Sequence, residues 1–324
     1  MRIRALRRRL LTPDVSETTL DRRGFHKKSP EAQELLETVG RSFLDGYAAA
    51  VEARSAAEAE EKLEEVPRAF RGFAYEGAGM GAAMLDGLSP GRGRRVAELL
   101  AGRGDRHVYM VYVGIGWAMA RLPRFCWPRA ETLDPLLRGL VLDGYGFHQA
   151  YFHTRRYVHQ QYEERAFPWP ADATRAHSHR AIDQGIGRAM WFVAGTDPER
   201  VASMIDAFPA RRQADLYAGT GLAATYAGGV DAGELALLRE RAGRHAPQLA
   251  QASAFAAEAR VRAGLVTAHT PVATQVLCGT TPEHAAQVTH DLRPHRPAGD
   301  GLPAYETWRQ RVADRFAQLG GVPS

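Results

Sequence analysis

Hydrophobic and polar positions along this chain fall mostly into a helical rhythm. From 29 to 66 the stretch SPEAQELLETVGRSFLDGYAAAVEARSAAEAEEKLEEV repeats apolar residues at three- and four-residue spacing, with Ser29 as N-cap and Pro30 at the first helical position. GRGRRVAELLAG, DPERVASMIDAFP, AGELALLRERAGR and LPAYETWRQRVADRFAQLG read the same way, each bounded by Gly, Pro or Asp. Strand-like alternation is scarce, and RHVYMVYVG at 106 to 114 is the one serious candidate. The pattern predicts a mainly α fold.

The chain also repeats itself, and repeats decide how the fold is read. DRRGFH at 21 to 26 returns as DGYGFH at 143 to 148; EGAGMGAAMLDGLSP at 76 to 90 returns as QGIGRAMWFVAGTDP at 184 to 198; YVGIGWA at 112 to 118 returns as YAGTGLA at 217 to 223. A fainter copy, TPVATQVLCGTTPEHAAQV at 270 to 288, parallels IGRAMWFVAGTDPERVASM at 186 to 204. We therefore expect duplicated helical units with a degenerate third copy, forming a helical repeat array or bundle. The boundaries expected are a basic tail over 1–20, unit 1 over 21–142, unit 2 over 143–230, and the third unit with C-terminal helices over 231–324.

The duplication pairs particular polar residues. His26 and His148 each follow an Asp by five positions, Asp21 and Asp143, which could fix the ring's tautomer as in an acid–base site; the plainer alternative is a capping Asp and a packed His. Glu76 aligns with Gln184, so an ionisable group stands in one copy where the other has an amide. Arg188 sits amid an apolar run and could meet a carboxylate. The aromatic band YGFHQAYFHTRRYVHQQYEERAFPWP suits either a core or the wall of an apolar ligand cavity. The paired glycines lack the strand, helix and acidic residue of a dinucleotide loop and are read as points of close helix approach.

Composition narrows the classes. With 324 residues and 45% hydrophobic content the chain can bury a large core. Arg2, Arg4, Arg7, Arg8 and Arg9 account for the whole formal charge of +5, so no basic stripe marks the body and nucleic acid is not expected as a partner. Membrane contact is limited to a peripheral one through that tail. Cys126 and Cys278 fit neither a disulfide framework nor a zinc site. No metal or cofactor is expected: His159 and Glu163 share a helical face, but such pairs are commonly surface contacts, and nothing brings His177 and His179 to them. The start of the chain has no apolar signal region, and the longest apolar run, at 108 to 120, is too short to span a bilayer; a cytoplasmic protein is expected. Motifs for a serine-hydrolase elbow, a zinc protease, a P-loop and an acidic diphosphate-binding run are missing.

The phrases RRGFH, FRGFAYEGAGM, YVGIGWAMARL, DPLLRGLVLDGYGFH, QGIGRAMWFVAG, FPARRQADLYAGTGLAATYAGG and YETWRQRV resemble the domain-of-unknown-function 1702 family. Its members occur in actinomycete natural-product clusters, often beside an enediyne polyketide synthase. The resemblance covers nearly all of the chain after the basic tail and brings no catalytic residues. It implies secondary metabolism and a polyene-derived or otherwise lipophilic substrate. The expectation is thus a cofactor-independent enzyme for proton transfer or cyclisation, with Asp143, His148, Glu76, Tyr112 and Tyr217 as catalytic candidates. Gln184, Arg188, Tyr145, Phe147, Trp191 and His26 are the ligand-binding candidates. Partners would be a lipophilic intermediate and other enzymes of its pathway. Two alternatives stand beside it: a non-catalytic carrier or scaffold, and a terpenoid-type cyclase started by protonation.

Overall fold

The computed structural model describes residues 12–89, 93–164, 167–168, 175–294 and 302–319. The basic tail up to residue 11 lies outside them. The helices run in the order α1 (Leu20–Arg23), α2 (Pro30–Glu52), α3 (Ala56–Glu65), α4 (Arg68–Leu88), α5 (Arg95–Ala101), α6 (Val108–Arg121) and α7 (Arg138–Phe152). They continue with α8 (Arg175–Val193), α9 (Pro198–Asp206), α10 (Ala210–Tyr226), α11 (Ala232–Ala242), α12 (Ala246–Arg262), α13 (His269–Cys278), α14 (Pro282–Asp291) and α15 (Ala304–Leu319). No strand occurs among the described residues. The strand candidate at 106 to 114 belongs largely to α6, whose residues from Met110 to Met119 are buried all round, so neither period shows. The long helix expected from 29 to 66 is two helices. It breaks at Ala53 and restarts where the Ser55 side chain accepts the Glu58 amide.

One backbone contact is repeated from helix to helix. A Cβ built on Gly77 of α4 would lie 1.9 Å from the Phe43 carbonyl oxygen in α2, and one on Gly79 would lie 2.6 Å from that of Val111 in α6. Gly114 faces Glu76 O at 2.1 Å and Gly116 faces Val141 O at 2.0 Å; Gly144 faces Val113 O at 2.0 Å and Gly146 faces Ile182 O at 2.1 Å. Gly185 then meets Asp143 O at 1.9 Å, Gly187 meets Leu216 O at 2.1 Å, Gly219 meets Gln184 O at 1.9 Å and Gly221 meets Leu249 O at 2.4 Å. Two residues along a helix turn through about 200°, so each G-x-G presents one bare backbone to the preceding helix and one to the next. The close approach expected of the paired glycines is therefore what they provide.

The resulting series α2, α4, α6, α7, α8, α10, α12 closes on itself. Tyr226 at the end of α10 packs edge-to-face on Phe73 of α4 with ring centroids 5.1 Å apart. Arg260 of α12 donates to the carbonyls of Tyr226 (2.5 Å) and Ala69 (2.9 Å), tying α10, α12 and the start of α4 together. The C-terminal α15 is pinned outside by buried charges: Arg309 bonds Asp215 at 2.7 Å and Glu306 at 3.1 Å, and Arg180 bonds Glu306 at 2.6 Å.

The repeated phrases behave unequally. Asp21–His26 is a helix end, with Gly24 in the left-handed region at φ 68° as C-cap, whereas Asp143–His148 lies inside α7; the two phrases are not equivalent in structure. The segments of the fainter correspondence share one local feature. Gly195 (φ 59°) and Gly279 (φ 70°) both end a helix, and Asp197 and Thr281 then cap helices that open with Pro198 and Pro282.

Gly116→Ala is expected to destabilise the fold by roughly 1–3 kcal/mol through overpacking against α7, while the exposed Gly233→Ala leaves stability unchanged or slightly raised. Urea unfolding of the two variants beside the parent chain measures the difference.

Candidate functional site

The glycine register also fixes what faces the middle of the ring. The residue before the first glycine of each pair is Glu76, Val113, Asp143, Gln184 or Ala218, and the residue three places after it is Met80, Trp117, Phe147, Arg188 or Leu222. The two positions are one turn apart on one face. All of the second set line a mostly apolar cavity of about 70 Å³. A neighbouring cavity of about 40 Å³ shares Met110, Arg188, Leu222 and Tyr226 with it. The residues of α6 that line the first cavity run from Met110 to Arg121, about 16 Å at 1.5 Å per residue.

Between α4, α7 and α8 the register brings four polar residues together. Glu76, Asp143, Gln184 and Arg188 are 3%, 0%, 0% and 5% exposed. Arg188 Nη1 donates to Asp143 Oδ1, and its Nη2 lies 3.5 Å from Glu76 Oε1. Gln184 Nε2 donates to Asp143 Oδ2 at 2.6 Å and to the Tyr305 hydroxyl at 2.9 Å. Trp117 Nε1 donates to Glu76 Oε1 at 3.1 Å. Glu76 Oε2 has no hydrogen-bond donor among the described residues.

One guanidinium thus serves two buried carboxyls, and removing an ion from water costs several kcal/mol. Asp143, with the direct bond from Arg188, is the better served. Burial pushes the Glu76 carboxyl up to about 7, with the Asp143 charge adding to the shift and Arg188 and Trp117 opposing it. Burial works against the Arg188 charge, but Asp143 and Glu76 outweigh it and hold its pKa above the usual value. The cluster can therefore keep Arg188–Asp143 as a fixed ion pair while Glu76 gains and loses a proton near neutrality.

The expected Asp143–His148 pair does not form. Five residues along a helix turn through about 500°, which leaves the two side chains about 140° apart. His148 stands edge-on to Trp117, centroids 5.5 Å apart, and its Nδ1 is buried without a partner. Burial, with Arg121 nearby, lowers its pKa to about 3, so it stays neutral. Tyr112 accepts the Asp134 amide at 2.9 Å, and Tyr217 donates to the Arg241 carbonyl at 3.1 Å; neither lines the cavity. Among the ligand candidates, Phe147 and Arg188 line the cavity and Gln184 supports the cluster. Tyr145 is taken up by Glu164 and Gln149, Trp191 donates to the Gly228 carbonyl at 3.1 Å, and His26 lies 3.8 Å from Asp197, all away from the cavity. Glu163 pairs with Arg211, and no group of three or more His, Cys, Asp or Glu among the described residues is placed to hold a metal ion. No helix among them is long and apolar enough to cross a membrane.

The family described as "Protein of unknown function (DUF1702)" matches residues 2–316. The chain belongs to the DUF1702 family. No curated protein and no solved structure matches it. In this DUF1702 chain, three site residues escaped the sequence reading. Trp117 could have been found, because it stands in α6 at the register position that Arg188 holds in α8. Tyr226 is buried, lines both cavities and has an unpartnered hydroxyl; it lies two turns beyond Ala218 on the same face. Tyr305 comes from α15, outside any repeat, and no local signal points to it.

Arg188→Met is expected to cost about 3–5 kcal/mol, because it strands buried Asp143, and adding Asp143→Leu should recover most of the loss. Urea unfolding of both proteins checks this. A second expectation concerns pH. A carboxyl whose pKa rises from 4.5 unfolded to about 7 folded adds stability at low pH and loses it as pH climbs through that window, on the order of 3 kcal/mol in all. The stability of Glu76→Gln relative to the parent should therefore grow between about pH 5 and 7.5. Neutral His148 contributes with the opposite sign in both proteins and drops out of the comparison. A difference that stays flat across those pH values would contradict the assignment.

Proposed function

We propose that this DUF1702 protein is a biosynthetic enzyme that binds an apolar, polyene-like intermediate in the central cavity and rearranges it by proton transfer, with Glu76 as the acid. The observation that carries the reading is a buried carboxyl, Glu76, on a mostly apolar cavity wall, held near neutral pKa by burial. Trp117 and Arg188 both engage Oε1, so the proton resides on Oε2. Protonation of a carbon–carbon double bond breaks that O–H bond and forms a C–H bond, leaving a carbocation. The faces of Phe73, Trp117, Phe147 and Tyr226 around the cavity would stabilise such a cation through their ring quadrupoles. Return of a proton from an adjacent carbon to Oε2 restores the acid, with or without ring closure, so the sequence is a redox-neutral isomerisation or cyclisation.

The natural-product setting rests on the resemblance drawn from the sequence phrases. A second reading, a non-catalytic carrier, draws support from the mutual saturation of Asp143 and Arg188, which makes most of the polar cluster a structural pin. Glu76 separates the two. Native mass spectrometry and product analysis of protein purified from a host carrying its gene cluster should find a lipophilic species bound to Glu76→Gln. The parent protein should convert that species to an isomer at a rate at least about a hundredfold higher. Release of the same unchanged molecule by both proteins would leave the carrier reading in place.

A further inference from the structure

The interior offers an anion no free cation, since Arg188 is already shared by Asp143 and Glu76. With Asp143 and Glu76 ionised against Arg188 alone, the polar cluster carries a net negative charge, and with Glu76 protonated it is neutral. The mouth of the cavity has the opposite character. Of the lining residues, Glu17, Leu44, Arg121 and Phe152 reach the surface, and Arg121 is exposed and has no ion-pair partner among the described residues. Phe152 is also a wall of an open surface depression of about 400 Å³, whose other sides include Arg23, Arg155 and Arg156. Arg23 is committed to Glu17 at 2.7 Å and to the Tyr151 and Phe152 carbonyls at the end of α7. Arg156 lies over the Tyr162 ring at 3.8 Å. Arg155 is exposed and, like Arg121, unpaired among the described residues. The depression follows a single π-helical turn, Arg155–His159, which interrupts the chain directly after α7.

An apolar slot that repels anions at its floor and opens beside unpaired guanidinium groups matches one kind of molecule end to end. We infer that the ligand is an amphiphile with an anionic head, a carboxylate or phosphate, held at the mouth by Arg121 and Arg155 with its apolar chain lying in the cavity toward Glu76. This inference rests on the cavity being a ligand site, as in the function proposed above. Guanidinium groups suit either head because both present paired oxygens. The head sets the register of the chain, and so which carbon meets Glu76 Oε2.

The test compares three probes below their micelle concentrations at low salt: parinaric acid, its methyl ester and the phosphate monoester of the matching alcohol, each followed by its own polyene fluorescence. An exposed ion pair contributes a factor of about two to five, so two arginines should favour the anions over the ester roughly tenfold. Added salt should erode that preference. In the Arg121→Gln/Arg155→Gln double variant the preference should vanish while ester binding is unchanged. Preference for only one of the two anions identifies the head. Equal binding of acid and ester by the parent protein overturns the inference and leaves the cavity reading intact, as does a preference that survives in the double variant. Failure of all three probes to bind overturns both.

Discussion

The structure depends on bare backbone meeting bare backbone. At each step from α4 to α10 a glycine in one helix faces a carbonyl oxygen of its neighbour, with a missing Cβ that would stand about 2 Å from that oxygen. No side chain fits such a gap, so contact is made by Cα–H groups and peptide dipoles, individually weak and repeated at every interface. Because the contact uses backbone, it fixes helix rotation more tightly than interdigitated flexible side chains would. Rotation is what decides which residues face inward.

That fixed rotation explains how a polar cluster survives in an apolar ring. Glu76, Asp143 and Gln184 occupy the same register position on α4, α7 and α8, and Arg188 stands one turn beyond on α8. A long arginine on a mobile wall would tend to reach toward water. Here the guanidinium is stacked over Phe147 with its carbon 5.0 Å from the ring centroid and bonded to Asp143, so its charge is held at the cavity wall. Tyr305 and the Arg309–Asp215–Glu306 group behind it brace the same face from α15.

Much of this was legible in the sequence, for reasons that can be traced. The G-x-G phrases announce close helix approach, and their alignment pairs Glu76 with Gln184. Asp143 was found by a signal that misled about its partner. The doubled GFH phrase linked it to His148, whereas helical geometry turns those side chains apart and delivers Asp143 to Arg188. The helix at 108 to 121 was ambiguous because a run buried on every side has no polar face to reveal its period. Tyr145, Trp191, Tyr112 and Tyr217 looked like site residues because aromatic and phenolic groups suit a cavity. Each instead spends its polar atom on a carbonyl, an amide or a side chain away from the cavity.

The register position before the first glycine carries the chemistry through its variation. Valine and alanine occupy it on α6 and α10, which leaves those walls apolar, and the three polar occupants on α4, α7 and α8 meet through Arg188 and Gln184. Among these the amide at Gln184 matters as much as the acids. A third carboxylate there would face the one arginine already shared by two, and protonation of at least one more group would be needed to relieve the repulsion. An amide donates to Asp143 and Tyr305 without adding charge, and Glu76 is the carboxyl of the cluster that burial raises toward neutrality. The difference between Glu76 and Gln184, two residues at the same register position, is therefore what leaves this cluster with one carboxyl that titrates near neutrality in place of a mutually frustrated set.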